Sequence, residues 1–191
     1  MFARLATQRL APGALSCGRL GGCARRLSAL ADFSGEEQVG HDPLLERSVD
    51  EATLHWCKTV TSGAADNWQR VSALYDQDAL LWGTVSEDLR GEQDLVDYFK
   101  YFAMIPGLSL REGSYKSNVQ ILSEDAAINS GYYTFEIPQD NGDVKAVPAR
   151  FTFVYRRRDE PIDGCEWAIV NHHSSAIPEQ PGALKDILAK R

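Results

Sequence analysis

Apolar residues recur at three- and four-residue steps in the first half of the chain and alternate in the second. Leu54, Trp56, Cys57 and Val60 predict a helix, capped by Ser48 or Asp50 and ended by Gly63. Trp68, Val71, Leu74 and Tyr75 mark a short second helix, and Ala79–Thr84 reads as a short strand. Leu95, Tyr98, Phe99 and Phe102 predict a third helix over 92–103, broken by Pro106-Gly107. Strands follow within 109–122, over 126–137 and over 144–157. Asp140-Asn-Gly-Asp143 predicts a hairpin turn between the last two, and 159–164 turns the chain into a final strand, 165–175. Helices followed by a meander of long strands predict an α+β fold, a curved antiparallel sheet wrapped around helices to leave one concave apolar pocket.

The final strand carries the chemistry. Side chains alternate between the two faces of a strand. Trp167, Ile169, Asn171, His173 and Ser175 would share one face; Ala168, Val170, His172 and Ser174 the other. Trp167 and Ile169 are the larger apolar groups, so parity places His173 and Ser175 on the core face, where a polar pair at an apolar rim suits a small-molecule pocket. His172 and Ser174 stand as the alternative pair.

Charge divides the chain. Residues 1–31 hold Arg4, Arg9, Arg19, Arg25 and Arg26 and no acid. Removing these five charges from the formal net charge of −7 leaves −12 for residues 32–191, which argues against a nucleic-acid partner. An acid-free stretch rich in Arg, Ala, Leu and Ser is the composition of an organelle transit peptide. Arg26-Leu27-Ser28 favours a mitochondrial destination, with a plastid as the alternative. Residues 32–41 read as a linker, 42–180 as the folded domain and 181–191 as a tail. No apolar run is long enough for a membrane-spanning helix. Cys57 and Cys165, far apart in the domain, read as ordinary buried thiols.

Spacing excludes several chemistries. The chain has no glycine-rich phosphate loop and no nucleophile elbow. A catalytic zinc usually takes three protein ligands, and adjacent His172 and His173 would point to opposite faces. No metal and no cofactor is therefore expected, and any catalysis would rest on hydroxyls, imidazole and pocket electrostatics.

Five segments carry a resemblance: Leu80–Ser86, Asp97-Tyr98-Phe99, Gly131–Phe135, Val147–Tyr155 and Asn171–Pro178. In this order they resemble the family of the iota-class carbonic anhydrases. These are proteins of the SnoaL-like, nuclear-transport-factor-like superfamily related to the association domain of calcium/calmodulin-dependent protein kinase II. The resemblance spans residues 45–180. It implies the conical α+β fold, homo-oligomerisation, and interconversion of carbon dioxide and bicarbonate without a metal. A non-catalytic association module, or another pocket enzyme on the same fold, are the competing functions.

The resemblance implies catalytic roles for Thr84, Tyr98, His173 and Ser175. It also implies substrate contacts for Arg150, His172 and Ser174. Hydroxyls would hold water and a bicarbonate oxygen while an imidazole accepts the water's proton. One departure stands out: Ser86 is followed by the acidic pair Glu87-Asp88 before Leu89-Arg90.

Overall fold

The computed structural model of the chain describes residues 42–84 and 86–177, all within one compact unit. The leader, the linker up to residue 41 and the tail from 181 lie outside the described residues.

Helix α1 runs Pro43–Val60, earlier than Ser48 or Asp50 would start it. Asp42 is the cap: its Oδ1 accepts from Leu44 N at 2.9 Å and Leu45 N at 3.3 Å. Pro43 opens the first turn, where a missing N–H costs nothing. Val49, Ala52, Thr53, Trp56, Cys57 and Val60 form its buried stripe. The next helix, α2, covers Asn67–Ala73, and Tyr75 already belongs to strand β1, Tyr75–Trp82. Thr84 follows that strand in a turn instead of ending it. Strand β2 (Leu89–Gly91) leads into α3 (Glu92–Phe102). The segment expected to hold one strand holds two, β3 (Ser109–Leu110) and β4 (Lys116–Ser123). Long strands β5 (Ala126–Pro138), β6 (Val144–Ile162) and β7 (Cys165–Ala176) complete the chain. Strand β6 continues through Arg158–Ile162 because only Asp163 and Gly164, at φ of 50° and 77°, form the turn.

The sheet order is β2-β1-β7-β6-β5-β3, with β4 also paired to β5. All pairings are antiparallel except β1 with β7. The curved sheet holds the helices on its inner face, giving the expected α+β cone. Trp56 of α1 sits at the centre, 5.2 Å from the Phe153 ring and 6.2 Å from Tyr133 between centroids. The inner face of β5 and β6 supplies Ala127, Tyr133, Phe135, Ala149, Phe151, Phe153 and Tyr155, all buried. Cys57 and Cys165 are both free and buried. A buried polar bridge joins helix to sheet: Thr53 Oγ1 meets Tyr155 Oη at 2.9 Å and accepts from Asn129 Nδ2 at 2.8 Å.

Gly131 sets how closely β4 approaches β5. A Cβ there would overlap the Lys116 carbonyl oxygen and come within 2.8 Å of the Phe151 ring. Backbone cannot yield as a flexible side chain can. Gly131→Ala is therefore expected to destabilise the domain by about 1–3 kcal/mol, read as a lower urea midpoint. An unchanged midpoint would contradict this close approach.

Candidate functional site

Strand β7 departs from regular alternation at one residue. Val154 faces Asn171 while the next residue of β6, Tyr155, faces Ile169, so Val170 is an extra residue in β7. Such a bulge inverts the parity of everything after it. Trp167 and Ile169 are buried as expected, but the buried polar residues beyond them are His172 at 2 % exposure and Ser174 at 3 %. The placement of His173 and Ser175 on the core face is thus corrected. They lie on the outer face, and the alternative pair lies inside.

Inside, the side chains form one continuous chain of hydrogen bonds. Tyr75 Oη is 2.7 Å from His172 Nδ1, and His172 Nε2 is 3.4 Å from Tyr133 Oη. Tyr133 Oη donates to Ser174 Oγ at 2.8 Å, and Ser174 Oγ lies 2.6 Å from Thr84 Oγ1. The five members come from four places: Tyr75 from β1, His172 and Ser174 from β7, Tyr133 from β5 and Thr84 from the turn after β1. The Thr84 carbonyl accepts from Ala176 N at 3.3 Å, which ties that turn to the end of β7. Thr84 is half-buried and forms the outer end of the chain; Tyr75, Tyr133, His172 and Ser174 are enclosed.

The imidazole of His172 is stacked on Phe153 at 3.9 Å between centroids and set edge-on to Trp56 at 5.0 Å. This apolar enclosure, with a smaller contribution from neighbouring His173, pulls its pKa from 6.5 down to about 3. Burial likewise pushes the Tyr75 and Tyr133 hydroxyls well above their ordinary values. A neutral imidazole with both nitrogens engaged is a poor acceptor for a water proton. The general-base role expected for a strand histidine does not suit His172.

Tyr98 stands beside this chain. It packs edge-on to Phe99 and stacked on Phe102, with centroid distances of 5.1 Å and 5.5 Å. A Cβ on Gly83 would fall within 2.7 Å of the Tyr98 hydroxyl oxygen, so glycine is what lets Tyr98 reach the turn that carries Thr84. Burial raises the Tyr98 hydroxyl to about 12, opposed by Arg90, whose guanidinium lies over the ring at 5.7 Å.

Arg150 is not there. It sits on the outer face and donates from Nε to Ser175 Oγ at 2.9 Å. Glu136 pairs with Arg111 at 2.8 Å. The structure thus brings together Thr84, His172 and Ser174, keeps Tyr98 near them, and separates off His173, Ser175 and Arg150. Tyr75 and Tyr133 are members that sequence reasoning missed. Tyr133 lay within the Gly131–Phe135 segment with no role assigned to it, and Tyr75 read as helical. Among the described residues no three His, Cys, Asp or Glu side chains converge as metal ligands would.

The depressed His172 value has a measurable consequence. A folded-state pKa below the unfolded one means that the neutral imidazole's stabilisation is complete above pH 6.5 and is lost as pH falls toward 3. Over that window this group alone contributes a slope of about 1.4 kcal/mol per pH unit. The His172 ring proton signals are expected to stay constant in NMR spectra between pH 7 and 5. A titration centred near 6.5 would contradict its enclosure.

The model of the calcium/calmodulin-dependent protein kinase II association domain matches residues 47–178. Among solved structures, a Xanthomonas campestris protein described as such an association domain is 34 % identical, covering 70 % of this chain and 89 % of its own, at a TM-score of 0.58. A Chlamydomonas reinhardtii domain described as a calcium/calmodulin-dependent protein kinase II hub homology domain is 17 % identical, with coverages of 69 % and 98 % and a TM-score of 0.53. A nuclear-transport-factor-like protein from Novosphingobium aromaticivorans has the same fold at 14 % identity, with coverages of 74 % and 88 % and a TM-score of 0.56. No match is found among curated proteins. The family model spans the fold from α1 to the end of β7, and the chain belongs to the calcium/calmodulin-dependent protein kinase II association domain family.

Proposed function

We propose that the domain is a homo-oligomeric association module whose subunits meet through the outer face of the sheet. The observation that carries this reading is the make-up of that face. Cross-strand register aligns Leu80, Asn171, Val154, Ile128 and Gln120 in one row. Trp82, His173, Thr152, Ser130 and Asn118 form the next, followed by Ser175, Arg150, Tyr132 and Lys116. None of these positions carries a carboxylate, in a chain with 27 Asp and Glu against 20 Lys and Arg. Leu80 and Trp82 are each 41 % exposed and Tyr132 is 53 % exposed. Three adjoining rows with large exposed apolar groups and no acid mark an interaction surface. A second copy suits it, because the same patch on both partners closes into a symmetric pair. The hub homology domain among its structural relatives adds support.

Sedimentation at micromolar concentration is expected to give a species larger than a monomer. Val154→Glu places a carboxylate in the middle of the face, and the mass is expected to fall toward that of the monomer. A parent protein that is monomeric throughout would refute the reading.

A second reading is carried by the internal hydrogen-bond chain: metal-independent interconversion of carbon dioxide and bicarbonate at the Thr84 end. Here the hydroxyls of Thr84 and Tyr98 would hold water and a bicarbonate oxygen. Water adds to carbon dioxide, and the released proton passes to buffer at the open end. His172 stays neutral and orients its neighbours. The hydroxyl set differs from the outer pair by one residue, which makes the test sharp. In a carbon dioxide hydration assay with chelator present, Ser174→Ala and Thr84→Val are expected to lose roughly 10²–10³ in rate, as for loss of a positioned donor. Ser175→Ala, on the outer face, is expected to retain the rate. No hydration above the buffer rate by folded, oligomeric protein would defeat this second reading and leave the association module standing.

A further inference from the structure

We infer that Tyr75 is a positioning residue that, together with Tyr133, holds His172 in one tautomer and so sets the direction of the protons in the chain ending at Thr84. The inference rests on the pocket reading for its purpose, but its geometry stands without turnover.

The argument is a count of protons. Tyr133 has one hydroxyl proton and donates it to Ser174 Oγ at 2.8 Å. Its oxygen can therefore only accept from His172, so Nε2 carries the imidazole proton. A neutral imidazole has one N–H, which leaves Nδ1 as the acceptor for Tyr75 Oη at 2.7 Å. Ser174, enclosed and already accepting, spends its own proton on Thr84 Oγ1 at 2.6 Å. The Thr84 proton is then free to point outward, toward an acceptor at the open end. Each hydroxyl hands its proton one step on, from Tyr75 to Thr84.

The reverse direction is blocked at the blind end. If His172 donated from Nδ1 to Tyr75, the Tyr75 proton would be buried with no acceptor among the hydrogen bonds of the described residues. An unspent buried donor is costly. The donor-only indole N–H of Trp56 reinforces this polarity. It lies near enough to Tyr75 to oppose the effect of burial on that hydroxyl, although it is outside hydrogen-bond geometry. Tyr133 also neighbours Thr84, but its oxygen already accepts from His172, and among the described residues no hydrogen bond joins it to Thr84.

The tautomer is directly observable. In long-range proton–nitrogen spectra of the ¹⁵N-labelled full chain at pH 7, His172 is expected as the Nε2–H form with an unprotonated, hydrogen-bonded Nδ1. In Tyr75→Phe, Nδ1 loses its donor while Nε2–H keeps Tyr133 as its acceptor, so the Nδ1 shift is expected to move to that of a lone pair without a hydrogen bond while the ring stays neutral. Sodium bicarbonate serves as the probe of the outward donor. Its binding, followed by titration, is expected to weaken about 10-fold in Thr84→Val and severalfold in Tyr75→Phe. An Nδ1–H tautomer in the parent overturns the inference. So does a Tyr75→Phe variant with unchanged nitrogen shifts, or one with unchanged bicarbonate affinity in a parent that binds. A parent that binds no bicarbonate defeats the pocket reading alone, and the tautomer still decides the role of Tyr75. Should Tyr75→Phe fail to fold, the parent tautomer alone decides.

Discussion

The site depends on one extra residue. Val170 has no partner of its own on β6, and its insertion turns the end of β7 over. Before it, Trp167 and Ile169 fill the core; after it, His172 and Ser174 do. A strand without the bulge would put His173 and Ser175 inside. His172 would then leave the slot between Phe153 and Trp56, and Ser174 would leave Thr84 and Tyr133. A bulge is tolerated because it costs a local break in the ladder, whereas a one-residue slip would exchange the two faces of the whole strand.

The same inversion supplies both faces of the sheet. Inside, it places an imidazole and a hydroxyl in an aromatic enclosure, where unpaired polar groups would be expensive. The enclosure is satisfied by assembling partners from three strands and the turn that carries Thr84. Outside, it places His173 beside Trp82, with ring centroids 5.6 Å apart, and Ser175 under the Arg150 guanidinium. The outer rows are thereby completed without an acid. One backbone irregularity thus links the polar chain in the core to the surface on which a second copy would rest.

Much of the fold was legible. The buried stripe of α3 and the Asn-Gly turn between β5 and β6 each follow a period or a turn preference that side chains reveal directly. Other elements carried signals that were passed over. Asp42-Pro43 is a cap followed by a helix-opening proline, and Asp163-Gly164 is a two-residue turn. Tyr75 sat at helical spacing from Val71, yet tertiary pairing with Ile169 made it a strand residue. For the site, the His-His-Ser-Ser run identified the right segment, and Thr84 and Tyr98 the right neighbours. Parity chose the wrong pair, because a bulge at a valine between two apolar residues leaves no mark in composition or spacing. Arg150 was misplaced for a simpler reason: on β6 it alternates with Ala149 and Phe151, both buried, and so faces outward.

The inversion is most directly tested by ring-to-ring nuclear Overhauser contacts in the folded chain. The His172 imidazole should show contacts to Phe153 and Trp56, and the His173 imidazole to Trp82. Contacts from His173 to Phe153 or Trp56 would mean that β7 runs without the bulge, and the inner site described here would be wrong.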